Sequence, residues 1–314
     1  MSAPDVSVVV PVRDGGEGLL RLVEALRAQT LPAARFEVVI GDDGSRDGAT
    51  DAVAEGERLR VLRGGRQSSY AARNRAARAS RGAVIAFCDA DCTPHPDWLE
   101  RGLAALDAGA DLAAGEIRLL APERPNAWSL LDVDCGLDQT RWVARGYALT
   151  ANLFVRRELY DAVDGFDERF PSGGDLDFTR RCIAAGARLV SAPAAIVDHP
   201  TCTDAGAFLR RAWFRDRNWA ARKHADGEHP SPMGVLGLVP VAGPLAARAR
   251  LGRPLGVDRA HLERSGIRPG LAARCGAVAV MYLVMPYLSA AAHLWSRRPP
   301  ETRVDEGRER AVQA

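Results

Sequence analysis

Four short apolar runs in the N-terminal part of the chain constrain its fold more than any other feature. The strands predicted from these runs cover residues 6–11, 36–41, 59–62 and 83–88. Helical patterns separate and follow them, at residues 18–29, 51–57, 69–79 and 96–106. A strand that is apolar along its whole length must be covered on both faces, which is typical of parallel sheets with helices on each side. The pattern therefore predicts an α/β fold built on a parallel sheet.

The second part of the chain is less regular. Helices are predicted over residues 128–142, 157–163 and 175–185, and a longer helix is predicted to be capped by Asp204 and to end near residue 224. Strands are predicted over residues 149–155, 188–190 and 194–197. We expect a first domain over residues 1–225, followed by a helical, partly apolar extension over residues 226–314 that ends in a flexible polar tail.

The composition excludes several broad classes of protein. Hydrophobic residues make up 47% of the chain and charged residues 26%, so that the chain can bury a core and is not a disordered protein. The 42 basic and 40 acidic side chains give a net charge of +2, which argues against a surface that binds nucleic acid throughout. Six scattered cysteines without a Cys-x-x-Cys pair predict neither a disulfide framework nor structural zinc. Residues 1–5 lead directly into the first strand, and we expect no signal peptide and a reducing, cytoplasmic compartment.

Acidic residues follow two of the predicted strands. Asp42 and Asp43 come after the second strand, and Asp89 and Asp91 come after the fourth. Ligands of open parallel sheets bind outside the carboxyl ends of the strands, where a rigid strand positions such side chains. Carboxylate oxygens suit Mg²⁺ or Mn²⁺, and these ions are often shared with substrate phosphates. Turn formation is the alternative interpretation, and it suits the Asp42 loop well.

Asp175 is the second candidate for chemistry. It opens a predicted helix directly after Gly173 and Gly174, where a carboxylate can be aimed into a cleft. Such a group could accept a proton from a reacting hydroxyl. Asp175 or Asp177 could equally cap the helix, and the spacing alone does not decide between these roles.

Several motifs together resemble one family. The segments VSVVVPVRD, VVIGDDGSRDGAT and ARNRAARASRGAVIAFCDADC look like the nucleotide-binding half of family 2 glycosyltransferases of the GT-A fold. A later segment, from LTANLFVRRELY to SAPAAIVDHP, looks like the acceptor half of that family. The resemblance covers residues 6–200 and implies a GT-A type, Rossmann-like sheet with helices on both faces. It assigns residues 1–115 to the nucleotide-binding half and residues 116–225 to the acceptor half.

The resemblance also implies roles for five residues on the donor side. Pro11, Arg13 and Asp43 would line the pocket for the base and ribose. Arg73 would face the donor nucleotide, and Asp89 would approach the ribose or a metal-bound water.

On the metal and acceptor side, the resemblance implies that Asp91 coordinates Mn²⁺ or Mg²⁺ and that His199 approaches the metal or the diphosphate. Asp175 matches the general base of the family. Two positions depart from the family pattern: relatives often carry asparagine in place of Asp14, and many carry glutamate in place of Gly174.

These features predict a metal-dependent inverting glycosyltransferase with a UDP-, GDP- or dTDP-sugar as donor. The acceptor hydroxyl, on a saccharide, a lipid-linked molecule or a small metabolite, stays open. A nucleotidyltransferase is one alternative, but the early GGEG segment is not followed by the lysine that a phosphate loop would need. A catalytically silent sugar- or lipid-binding protein is another, and the presence of both Asp91 and Asp175 argues against it.

The last part of the chain points to a membrane surface. The predicted helix ending near residue 224 is rich in arginine, with aromatic residues interleaved. A solvated basic face and a diphosphate clamp are alternatives to membrane contact. Residues 275–295 contain no Asp, Glu, Lys or Arg and match the length of a bilayer-spanning helix. We expect a peripheral enzyme at the inner face of the cell membrane, with no nucleic-acid partner.

Overall fold

Four parallel strands near the start of the chain form one half of an eight-stranded sheet. They are β1 (Val6–Val12), β2 (Phe36–Asp42), β3 (Leu59–Arg63) and β4 (Val84–Cys88), in the order β3-β2-β1-β4. Every residue of β1, β2 and β4 is buried, which explains why their sequences are mostly apolar, with polar exceptions such as the buried Ser7 and Glu37. The computed structural model describes residues 3–135 and 137–225, with scattered positions between 266 and 292.

Helices join these strands as the apolar spacing predicts. The first three are α1 (Gly16–Arg27), α2 (Ser69–Ala79) and α3 (Trp98–Asp107), and a short 3₁₀ helix covers Ala33–Arg35. The Ser68 hydroxyl caps α2 by accepting a hydrogen bond from the Ala71 backbone at 3.1 Å.

The helix predicted over residues 51–57 is absent, and that prediction is wrong. The amides of Asp51 and Ala52 instead donate to the Gly48 carbonyl, which closes a turn ahead of β3. Val53 is a buried apolar side chain, whereas its neighbours Ala52 and Ala54 are exposed. The burial of a single side chain stabilises a helix of this length too little to offset the free-energy cost of helix nucleation.

The other half of the sheet is mixed rather than parallel. Its strands are β5 (Thr93–Pro94), β6 (Leu112–Leu120), β7 (Asn152–Arg156) and β8 (Leu189–Pro200), and they continue the sheet in the order β4-β7-β6-β8-β5. β7 runs antiparallel to both β4 and β6, while β8 is parallel to β6. The two strands predicted over 188–190 and 194–197 form one strand, whose register against β6 shifts between Gly115 and Glu116.

The remaining helices correct one prediction and agree with others. The predicted helix over 128–142 is two helices, α4 (Ala127–Cys135) and α5 (Gln139–Val143), because the Asp138 side chain starts a new helix by accepting from the Arg141 amide at 3.0 Å. Three helices follow, α6 (Arg157–Ala162), α7 (Gly174–Ala184) and α8 (Ala205–Ala225). Asp204 caps α8 as predicted, accepting from the Ala207 amide at 2.7 Å.

The chain divides into two compact units. The first comprises Met1–Ala121, Gly136–Thr201 and Arg264–Gly266, and it contains the whole eight-stranded sheet. The second comprises Pro122–Cys135, Cys202–Glu263 and Ile267–Ala314, and it contains α4 and α8. Within it, Arg211 of α8 forms an ion pair with the buried carboxylate of Asp132 on α4.

The predicted domain boundary at residue 225 and the tail over 296–314 lie at or beyond the end of the continuously described chain. Most of the apolar segment 275–295 also lies outside the described residues. Among the residues that the structure does describe, we find no helix with both the length and the apolar character needed to cross a bilayer.

A buried carboxylate stabilises the sheet through neighbouring chain segments. Glu37 on β2 has no exposed side-chain surface, and it accepts hydrogen bonds from the Ser7 hydroxyl at 2.9 Å and the Arg81 amide at 2.5 Å. Arg60 and Arg81 form ion pairs with its other oxygen at 3.2 and 3.3 Å. Burial raises the pKa of Glu37, but these hydrogen bonds and positive charges outweigh it, and the net pKa is lowered.

Replacing Glu37 by glutamine should lower the free energy of unfolding by about 2 kcal/mol, because hydrogen bonds to a buried charge are lost. A lowered carboxyl pKa contributes stability above the pKa of the unfolded chain and loses it as the pH falls through the folded pKa. The deficit in urea unfolding should therefore be present at neutral pH and shrink in acid. Glu57→Gln, at an exposed position, is the matched control and should change little. A deficit that is the same at every pH would contradict the electrostatic explanation.

Candidate active site

The ends of β1, β2 and β4 bring the predicted donor residues to one edge of the sheet. The three strands are parallel and in register, so that their carboxyl ends lie side by side. Pro11 is buried in β1 and pairs with Gly41 of β2, while Arg13 follows β1 and is exposed. Asp43 follows β2, and Asp89 follows β4.

The two neighbouring aspartates after β2 have different surroundings. Asp42 is buried and accepts from both the amide and the hydroxyl of Ser45, at 2.8 and 2.6 Å, so that it has the turn-forming role. Asp43 is also buried, and it accepts from the Gln67 amide at 2.7 Å. This contact fixes the loop before α2 against the edge where a nucleotide is predicted.

Asp14 has a local structural reason to be an aspartate. Its φ of +53° lies in the left-handed region, which aspartate and asparagine tolerate better than other side chains do. Its carboxylate accepts from the Arg46 amide at 2.7 Å, and its own amide donates to the Ser45 hydroxyl at 3.0 Å. Aspartate at this position, where many relatives carry asparagine, therefore preserves the conformation of the loop.

Arg73 and Asp89 form the central ion pair of the site. The guanidinium of Arg73 on α2 is 2.5 Å from Asp89 Oδ1, and the Arg73 residue is only 5% exposed. Its Nε atom is buried and has no hydrogen-bond partner among the described residues. The Asp89 side chain is 31% exposed, so that one buried arginine holds a carboxylate that still faces solvent.

The predicted metal ligands Asp91 and His199 come together. His199 Nε2 lies 3.5 Å from Asp91 Oδ1, and the histidine is buried while the Asp91 side chain is half exposed. His199 Nδ1 lies 2.8 Å from the Pro200 carbonyl oxygen. A carbonyl can only accept, so Nδ1 carries a proton, and Nε2 is the ring nitrogen that faces Asp91.

This donor set fits a divalent ion of the Mn²⁺ or Mg²⁺ kind. A half-exposed carboxylate and an oriented imidazole nitrogen are ligands that Mn²⁺ accepts readily. Cys92 Sγ lies within 4.8 Å of both groups. A hydrogen bond with Cys88 and burial raise the pKa of the Cys92 thiol, so that it stays protonated and is a poor partner for a hard cation. Both cysteines are buried, as small residues at the end of a strand are expected to be.

Asp175 and Asp177 occupy the first turn of α7 but differ in their contacts. Asp177 is buried and forms ion pairs with Arg180 at 3.3 Å and Arg181 at 2.8 Å. Asp175 accepts from the Leu176 amide at 3.0 Å and from the Tyr70 hydroxyl at 3.5 Å. Neither side chain caps α7, because the N-cap is Gly173, which has no side-chain cap.

The surroundings of Asp175 suit a base. Burial raises its pKa above the ordinary aspartate value, the guanidinium of Arg73 acts in the opposite direction, and the charge of Asp89 raises it further. The three residues therefore interact electrostatically, although they lie on different elements. A carboxylate with a raised pKa is a stronger proton acceptor than an ordinary surface aspartate.

Tyr70 is the residue that sequence reasoning missed. It lies in α2, where its spacing is that of an ordinary core position, and it is indeed buried. No sequence signal distinguishes it, because its contact with Asp175 joins residues 105 positions apart.

The comparisons with known proteins identify the family. The family model described as glycosyl transferase family 2 matches residues 7–166. The glycosyltransferase AglE of Haloferax volcanii is 35% identical over 204 residues, which cover 63% of this chain and 67% of the relative. The chain belongs to the family 2 glycosyltransferases. It is also 34% identical to the pre-mycofactocin glycosyltransferase of Mycobacterium tuberculosis over 242 residues, which cover 74% of this chain and about half (48%) of that relative.

Solved structures show the same fold. The mannosyltransferase PcManGT from Pyrobaculum calidifontis, in complex with GDP-Man and Mn²⁺, has a TM-score of 0.60 at 21% identity, over 95% of this chain and 89% of that one. Residues 1–349 of TarS from S. aureus, in complex with UDP-GlcNAc, have a TM-score of 0.54 at 17% identity, over 93% and 91%. The GT-A fold class predicted from the sequence is confirmed.

Replacing Asp175 by asparagine should raise the melting temperature at neutral pH, because the ionised carboxylate is disfavoured by burial in the folded state. An acid with a raised folded pKa reduces stability as the pH rises from its unfolded to its folded pKa, so that the gain should vanish in strong acid. Asp177→Asn is the matched comparison in the same turn, and it should lower the melting temperature by about 2–4 °C because two ion pairs are lost. Thermal unfolding across pH measures both, and a lower melting temperature for Asp175→Asn would contradict the account.

Proposed function

We propose that this chain is a metal-dependent, inverting glycosyltransferase that transfers a sugar from a nucleoside-diphosphate sugar to an acceptor hydroxyl. The observation that carries the proposal is the contrast between two aspartates in one helical turn. Asp177 is neutralised by two arginines, whereas Asp175 has a raised pKa and no arginine bound to its carboxylate among the contacts of the described chain. A helical turn with only a structural role would not require one aspartate to be paired with arginines and the other to keep a carboxylate of raised pKa.

On the donor side, we assign Pro11, Arg13 and Asp43 to the pocket for the base and ribose. Pro11 and Asp43 are buried at the sheet edge, and the exposed Arg13 comes two residues after Pro11, directly after β1. Arg73 faces the donor with its unpartnered Nε, and Asp89 is directed to the ribose or to a metal-bound water.

Asp91 and His199 would hold the divalent ion. When bound, Mn²⁺ or Mg²⁺ would neutralise the charge that develops on the diphosphate leaving group. The Pro200 carbonyl accepts from Nδ1 of His199, so that Nε2 is the nitrogen that would ligate the ion, and the half-exposed Asp91 carboxylate can be shared with a phosphate. The pairing of GDP-Man with Mn²⁺ in PcManGT supports this assignment.

Asp175 removes the proton from the acceptor hydroxyl. The deprotonated oxygen then attacks the anomeric carbon on the side opposite the diphosphate, so that the configuration inverts. The raised pKa of Asp175 brings its proton affinity closer to that of the reacting group at neutral pH. Tyr70 and the Leu176 amide hold the carboxylate in place during this step.

Two substitutions separate the proposed roles. Asp91→Asn should abolish the Mn²⁺-dependent part of nucleotide binding, because the amide has no charge to hold the ion. Asp175→Asn should bind donor normally and lose transfer or donor hydrolysis by about 10²–10⁴-fold, the range for a positioned proton acceptor. Binding is measured by calorimetry and by thermal shift with a panel of UDP-, GDP- and dTDP-sugars, each with and without Mn²⁺.

The panel also discriminates between the alternatives. Mn²⁺-dependent binding that survives in Asp91→Asn would overturn the metal assignment. Turnover near that of the wild type in Asp175→Asn would overturn the assignment of the base. Donor binding without turnover in the wild type, with every acceptor class tested, would favour a silent sugar-binding protein.

We further propose that α8 contacts an anionic membrane surface and that the protein lies at the inner face of the cell membrane. Arg210 and Phe214 are exposed one turn apart on this helix, whereas the exposed Arg211 is already paired with Asp132. The guanidinium of Arg217 lies 5.3 Å from the centre of the Phe214 ring, so that cationic and apolar groups occupy the same surface. The positive charges of such a surface bind anionic lipid headgroups, and its aromatic rings insert at the boundary between the headgroups and the acyl chains.

The full chain should therefore sediment with vesicles that contain phosphatidylglycerol and much less with phosphatidylcholine alone. The double variant Arg210→Glu/Phe214→Ser should lose most of this binding, because it reverses one charge and removes one ring. Arg21→Glu, at an exposed position on α1, is the control and should bind as the wild type does. Equal binding of the double variant would contradict the assignment of α8.

A further inference from the structure

A tyrosine occupies the space beside the proposed base where a side chain of residue 174 would otherwise lie. A Cβ atom added to Gly174 would be 2.9 Å from two ring carbons of Tyr70. Such a distance is shorter than van der Waals contact, and the carbon atoms of an aromatic ring cannot bend aside as the end of a flexible chain can. The Tyr70 ring and a side chain at position 174 therefore exclude each other.

The Tyr70 hydroxyl lies at the start of α7. It donates to Asp175 Oδ1 at 3.5 Å. Burial raises the pKa of Tyr70, as does the charge of Asp175, while backbone hydrogen bonds with Gly174 and Asp175 act in the opposite direction. The N-cap of this helix is Gly173, with φ of +75° and no side chain to satisfy the first amides. The Tyr70 hydroxyl of α2 therefore lies at an N-terminus that has no side-chain cap of its own.

The ring of Tyr70 is held on its other sides. The Arg73 guanidinium lies 5.5 Å from its centre, and the Phe166 ring packs against it with 5.7 Å between centroids. Tyr70 is only 7% exposed, which leaves it little freedom to change its rotamer. A group this confined can fix the position of what it contacts.

We propose that Tyr70 is the positioning residue of the base: its ring takes the place of a side chain at residue 174, and its hydroxyl holds the Asp175 carboxylate in the orientation for proton removal. This inference rests on the proposed function for the role of Asp175, but its geometric part is independent of the reaction. It also accounts for the departure from the family pattern at Gly174, because a glutamate there would collide with Tyr70.

The geometric part is tested without any substrate. Urea unfolding of the wild type, Tyr70→Phe, Asp175→Ala and the double variant forms a double-mutant cycle. We expect shifts of the midpoint that are not additive, because each single change removes the same hydrogen bond. A second cycle uses Gly174→Ala, which should destabilise the wild type more than it destabilises Tyr70→Ala, where the ring is gone. Additive shifts in both cycles would overturn the proposal.

The catalytic part is tested by hydrolysis of GDP-mannose or UDP-N-acetylglucosamine with Mn²⁺, whichever the wild type cleaves faster. Tyr70→Phe should lower kcat about tenfold, the size expected for the loss of one long hydrogen bond to the carboxylate, and leave KM for the donor unchanged. Loss of the donating hydroxyl disfavours the ionised carboxylate, so that the acidic limb of the kcat profile should move to higher pH.

Tyr160→Phe is the matched control. The Tyr160 hydroxyl donates to Asn74 Oδ1 at 2.6 Å and is buried in the same core, but it does not contact Asp175. This variant should lower stability without moving the acidic limb. Coupling in the cycles with no change in the pH profile of Tyr70→Phe would overturn the role in catalysis. No hydrolysis of either donor by the wild type would count against the proposed function, and the unfolding cycles would still decide the geometry.

Discussion

Arg73 is the positive charge on which the arrangement of the site depends. Asp89 and Asp175 approach each other in a partly buried region, where like charges repel strongly because little water screens them. Arg73 pairs with the first at 2.5 Å and lowers the pKa of the second. It can do so because α2 packs against β1 and β2, which fixes the position of the guanidinium relative to both carboxylates. Without this charge, folding would favour protonation of one carboxylate or its displacement into solvent.

The antiparallel strand β7 explains how the acceptor-side residues reach this edge. Asn152, fully buried at its start, donates to the Glu116 and Ala195 carbonyls at 2.8 and 2.9 Å and accepts from the Trp98 indole at 2.9 Å. One amide thereby ties β7 to β6, β8 and α3. β8 is held in register by these bonds and carries His199 to Asp91. The contact between Asp91 and His199 therefore depends on a buried side chain that touches neither residue.

The sequence predicted the parts of the fold in which local pattern and burial agree. β1, β2 and β4 are buried at every position, so that their apolar runs could be recognised directly. The sequence does not predict β6 (LAAGEIRLL), because its small residues adopt a strand conformation only by pairing with β7 and β8, which are distant in the chain. Asp91 and His199 were predicted as partners from the family resemblance, and the structure brings them together. Tyr70 could not be predicted, since the ring and the glycine that accommodates it meet only in three dimensions.

The contact between Tyr70 and Gly174 also limits the order in which this protein could have evolved. With 2.9 Å between the ring and any new Cβ at residue 174, gaining a side chain there first would create a clash, and losing the ring first would leave a cavity beside Asp175. Either single step passes through a less stable intermediate, so the two positions are epistatic. Lineages should therefore change them together or keep both, and an alignment of close relatives should record this as covariation between residues that are distant in sequence.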